Sequence, residues 1–103
     1  MGRRDCGRRL IAASPGEVWS IVKKFGTIDI PDLRTAVATC ILEHLLEQHF
    51  EEFFPLLENE VLGGNQLLGE TFLECWKLGL ADIPKNSAKW DRLEEWILAG
   101  KST

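Results

Sequence analysis

The chain reads as one small all-α domain of four to five helices. Three observations predict this. Apolar residues recur three and four apart from Val18 to Ile97, residues that start and stop helices separate the periodic segments, and Val, Ile, Thr and aromatics never alternate for more than a few positions. With 103 residues, 45% hydrophobic and 27% charged, the chain can fill one modest core and has ordinary globular composition. Four Trp and five Phe supply much of the area available for burial.

The first thirteen residues are Arg-rich and aperiodic, and are expected to form a tail, with 14–103 a single helical domain. Ser14-Pro15-Gly16-Glu17 has a cap, a proline suited to the first helical position and a glutamate that completes a capping box. Val18, Ile21, Val22 and Phe25 follow at helical spacing, and Gly26 fits a left-handed stop, so a first helix is expected over 15–25. Pro31 and Asp32 open a second helix running to about Gln48, with Thr35, Thr39, Glu43 and Glu47 as a solvated row. Val37, Ile41, Leu42, Leu45 and Leu46 form its apolar side.

A third helix is expected from Phe50 to Leu62, with Phe50, Phe53, Phe54, Leu57 and Val61 facing inward. Pro55 fits only within its first turn, where amides have no intrahelical partner. After Gly63-Gly64, Asn65 caps a fourth helix over about 66–80, striped by Leu68, Phe72, Cys75, Trp76 and Gly79. Gly69 weakens it unless close packing there demands a small residue. Asn86 or Ser87 then caps a last helix over 88–99, stopped by Gly100. The expected core is Trp19, Val22, Phe25, Val37, Ile41, Leu45, Phe54, Leu57, Phe72, Trp76 and Leu93.

Charge is unevenly placed. Arg3, Arg4, Arg8 and Arg9 against Asp5 leave residues 1–13 at +3, so the remainder carries −7 of the net −4. No Lys or Arg lies between Arg34 and Lys77, whereas eight glutamates do. No apolar run is long enough for a membrane span, no apolar stretch follows the charged start as in a signal peptide, and Cys6 occupies the Ser/Thr position of a myristoylation motif. Cys6, Cys40 and Cys75 are too few and scattered for a disulfide framework, and predict thiols in a cytoplasmic protein.

No catalytic, metal or cofactor motif emerges. His44 and His49 are five apart, where a zinc-protease pair is four apart with an adjacent glutamate. Cys40 and His44 could share an ion, but two ligands do not make a metal site. Cys40 and Cys75 sit among apolar residues, which suits core thiols, while Cys6 has arginines nearby but no base anchored beside it. The pairs Glu51-Glu52 and Glu94-Glu95 suit a solvated face. Gly63-Gly64-Asn65 lacks the Lys and Ser/Thr of a phosphate loop. The expectation is therefore a protein that is not an enzyme and needs no cofactor.

Glu17-Val18-Trp19, the run Leu42-Glu43-His44-Leu45-Leu46-Glu47-Gln48-His49 and a helix ending near Trp76 resemble an uncharacterised family of small bacterial helical domains, over about residues 15–80. The resemblance implies helical architecture and a bacterial or phage origin. It supplies no activity, and the Arg-rich start is not part of its pattern.

The functional expectation comes from charge. Glu43, Glu47, Glu51, Glu52 and Glu58 predict an anionic face that occupies a basic surface on a protein partner. Immunity proteins and phage-encoded inhibitors of bacterial defence share this logic at the level of size and charge. Two alternatives stand beside it. One is a self-associating module that pairs through Trp90 and Trp96. The other is a nucleic-acid-associated regulator acting through Arg3, Arg4, Arg8 and Arg9, which the acidic body disfavours.

Overall fold

The computed structural model describes residues 14–102, the side chains of 101 and 102 excepted, so the Arg-rich segment 1–13 lies outside the described residues. The first helix, α1 (Pro15–Phe25), has the expected bounds, but its ends differ in mechanism. Ser14 makes no side-chain cap bond, and Gly26 is right-handed at φ −73°. Gly26 is needed for room rather than for handedness. A Cβ there would stand 2.5 Å from the Val22 carbonyl oxygen and 3.3 Å from Leu68 Cδ1. Its own carbonyl accepts from the buried Thr71 hydroxyl at 2.6 Å.

The expected second and third helices form one rod that is kinked where they were expected to part. Helix α2 (Pro31–Val37) passes through a π-helical turn (Ala38–Leu42) into α3 (Glu43–Leu62). The break expected near Gln48 occurs at His49, whose φ of −137° and ψ of 44° are non-helical and kink the chain between the two segments. Phe50 resumes the buried stripe immediately beyond it. Pro55 is six residues past the kink, inside the helix rather than in a first turn.

Asn65 caps α4 (Gln66–Leu73) as expected, its side-chain oxygen accepting from the Leu68 amide at 3.1 Å. This helix stops seven residues short of the expected end. Residues 74–78 form an irregular connection, followed by a 3-10 turn (Gly79–Asp82). The last helix, α5 (Pro84–Ser102), starts earlier than expected, with proline in its first turn, and runs through Gly100 rather than stopping there. No strand occurs among the described residues, and no helix among them is long and apolar enough to cross a membrane.

The core runs between α1, the rod, α4 and α5. Val18, Trp19 and Val22 of α1 meet Leu45, Leu46, Phe50, Phe53, Phe54 and Leu57 of α3. An aromatic chain spans the interior. The stacked Phe50–Phe54 pair, with centroids 4.5 Å apart, reaches Phe72 at 6.2 Å, and Phe72 reaches Trp90 at 4.6 Å. Each such side chain contributes about 1.5–3 kcal/mol by leaving water. Most of the expected core is buried, with Phe25 and Ile41 only partly so. Two tryptophans reverse their expected roles. Trp76 is 72% exposed, because the chain leaves the helix before reaching it, and Trp90 is buried against Phe72. Trp90 therefore cannot join Trp96 in a surface dimer patch.

Candidate functional site

Glu43 and Glu47 lie four residues apart on α3 and share a side of it, and Glu51 follows beyond the kink at His49. A row of this kind in an isolated helix would face water. Here the connection from α4 to α5 lies along it. The Trp76 amide donates to Glu43 Oε1 at 3.0 Å. Gly79 packs so closely on Glu47 that a Cβ would sit 2.6 Å from Glu47 Cγ, and at φ +52° it adopts a conformation suited to glycine. Lys85 Nζ pairs with Glu51 Oε2 at 3.1 Å. The connection and the start of α5 thus follow α3 in the same direction, residue 76 beside 43, 79 beside 47 and 85 beside 51.

The five glutamates expected to form one anionic face therefore divide. Glu43 is 9% exposed and turned inward, and Glu47 is half-buried and accepts from His44 Nδ1 at 2.8 Å. His44 Nε2 lies 3.7 Å from Glu43 Oε2, so the buried imidazole has carboxylates on both edges. Glu51 is exposed but neutralised by Lys85. Glu52 is exposed, with His49 Nδ1 3.8 Å away. Glu58 is half-exposed and lines a different cleft. The physical reason is local to each residue: Glu43 accepts the part-buried Trp76 amide, Glu47 accepts from His44, and Glu51 meets the exposed Lys85 at the start of α5.

Around Trp76 the backbone is held on both sides. Lys77 Nζ reaches Asp91 Oδ1 at 2.6 Å and Ser87 Oγ at 2.8 Å, tying the connection to α5. The Cys75 thiol points inward, donating to the Ala38 carbonyl at 3.5 Å and the Thr71 carbonyl at 3.8 Å. Burial pushes this thiol well above its ordinary range, with the Glu43 and Glu74 carboxylates adding to the effect. It is thus a neutral core thiol, unsuited to nucleophilic work. The result is an exposed indole on a fixed backbone, flanked by the exposed Glu74. Among the described residues no three His, Cys, Asp or Glu side chains are grouped to hold a metal ion.

Two arrangements escaped the sequence reading. Arg34 is buried and binds the Ile28 carbonyl at 2.9 Å, Asp29 at 3.3 Å and Glu70 at 3.4 Å, joining the α1–α2 connection to α4. Its spacing from Val37 and Ile41 places it on the apolar side of its helix, a signal available in the sequence. The second is a cleft of about 390 Å³ between α3 and α5, floored by Phe54 and Pro55 and edged by Lys85, Lys89 and Arg92. These three follow at i, i+4 and i+7, which makes a basic stripe on α5. Trp96 stands elsewhere, 51% exposed beside a smaller cavity of about 240 Å³ formed with Ile97 and Gly69. Arg3, Arg4, Arg8 and Arg9 lie outside the described residues. In comparisons with known proteins, the chain matches no family model, no curated protein and no solved structure.

Proposed function

We propose that the chain is a binding domain without chemistry of its own, an inhibitor-like protein that occupies a basic surface on a protein partner. One observation carries this reading: the Trp76 indole is 72% exposed although its backbone amide is fixed to Glu43. A large apolar side chain held out in water loses the stabilisation that burial would give it. An indole on a fixed backbone has little conformational freedom to lose on association, and Trp is enriched among residues that dominate binding energy. Within the stretch that lacks Lys and Arg, Glu74 beside it and Glu52 on α3 are exposed and touch only Thr35 and His49, whereas Glu43, Glu47 and Glu51 are engaged more closely within the fold.

The test is affinity capture by the intact chain from an extract of its host, with partners identified by mass spectrometry. Trp76→Ala should lose the partner while keeping the parental circular dichroism spectrum and melting temperature. The double variant Glu52→Lys, Glu74→Lys should weaken capture most at low salt. Undiminished capture by a folded Trp76→Ala chain would remove the basis for this reading.

A further inference from the structure

We propose that the cleft between α3 and α5 is a binding site for a small zwitterion of the α-amino acid class. It is independent of the Trp76 surface. Among the described residues, Glu58 on α3 and Lys89 and Arg92 on α5 line one cleft of about 390 Å³, yet none of the three forms an ion pair or a side-chain hydrogen bond. Opposite charges that share a concave surface without closing on each other leave both a carboxylate and two cations available to a ligand. Lys85, by contrast, is already paired with Glu51, so the pair adds no net charge to the cleft. A simple anion would meet the two cations but be repelled by Glu58. A simple cation would face the converse. A molecule bearing an ammonium and a carboxylate satisfies all three groups, with Arg92 and Lys89 on the carboxylate and Glu58 on the ammonium.

The floor supplies the second argument. Pro55 lies in the interior of α3, where proline costs about 3 kcal/mol in an ordinary helix. Its missing amide deprives the Glu51 carbonyl of the donor a regular helix would provide, and both residues line the cleft. A local rule broken without evident structural gain is most often found at functional positions. Here the break leaves a backbone acceptor at a residue that lines the cleft, suited to an ammonium, and puts the exposed proline ring at its wall to meet an aliphatic or aromatic side chain.

The test is heteronuclear NMR titration of the intact chain with free amino acids, one from each side-chain class, each taken to about 10 mM. At least one apolar amino acid should shift amides within 51–58 and 85–92. Its N-acetyl form, lacking the ammonium, and its carboxamide, lacking the carboxylate, should each bind about tenfold more weakly. Glu58→Gln, Lys89→Ala and Arg92→Ala should weaken binding by a similar factor, with melting temperatures within about 2 °C of the parent because all three side chains are at the surface. The site is refuted if no amino acid shifts these amides, if shifts fall elsewhere, or if the N-acetyl form or inorganic phosphate binds as well as the free amino acid.

Discussion

Glu43 and Glu52 look alike in the sequence, two acids in the same basic-free stretch, but their environments set opposite expectations. Glu43 is buried and receives the Trp76 amide, so Glu43→Ala removes a charge-assisted hydrogen bond and strands a partly buried donor. A loss of about 1.5–3 kcal/mol in urea unfolding is expected, largely recovered in Glu43→Gln, whose amide oxygen can accept the same bond. Glu52→Ala should change stability by no more than about 0.5 kcal/mol. Cys75 gives a pH-dependent test. Its folded pKa is raised, so the thiol stays protonated in the fold at a pH where the unfolded chain, titrating near 9.0, has begun to ionise. The stabilisation is therefore complete below that value and declines as pH rises above it. The stability difference between the parent and Cys75→Ala should shrink from pH 7 to about pH 10.

At the scale of elements, two glycines carry opposite expectations. Gly79→Ala imposes φ +52° on a residue with a Cβ and drives that Cβ into Glu47, and should lower stability by about 2 kcal/mol or more. At Gly69 in α4 a Cβ would make ordinary contact with Ile97 Cδ1 at 3.5 Å, so Gly69→Ala should raise stability by up to about 1 kcal/mol, read as the shift in urea midpoint. The same comparison shows what could be read in the sequence. The bounds of α1 were legible because proline, glutamate and glycine mark them locally, although neither Ser14 nor Gly26 acts by the mechanism those residues suggest. The apolar stripe of α3 and the Asn65 cap were legible for the same reason. Residues 74–82 were not. Leu68, Phe72, Cys75, Trp76 and Gly79 continue a helical period, yet the helix ends at Leu73, the Glu74 and Cys75 amides tighten onto carbonyls three residues back, and the Trp76 amide beyond them binds a carboxylate 33 residues earlier in the chain. A local pattern holds no record of such a partner. The fate of the acidic row was hidden by the same contact, since its covering segment was itself read as helix.

The whole molecule is joined by contacts distant in sequence. Arg34 ties α2 to α4, Lys77 ties the connection to α5, and the aromatic chain from Phe50 to Trp90 threads three helices. No helix has a separate core, so residues 14–102 should unfold as one unit. Far-ultraviolet circular dichroism and tryptophan fluorescence should give the same midpoint in urea, and distinct midpoints would show that α1 or α5 melts alone. The π turn sets the angular phase between the two ends of the rod. Its Glu43 amide reaches back five residues to the Ala38 carbonyl, which the Cys75 thiol also engages. Removing one residue, such as Thr39, would let the chain wind as regular α-helix up to the kink at His49, but every downstream side chain would then swing by about 100° relative to α2. Arg34 and Glu43 could no longer address the same pair of neighbours at once. In a protein of this size, a single-residue deletion far from any cleft would thus put one half of the chain out of step with the other.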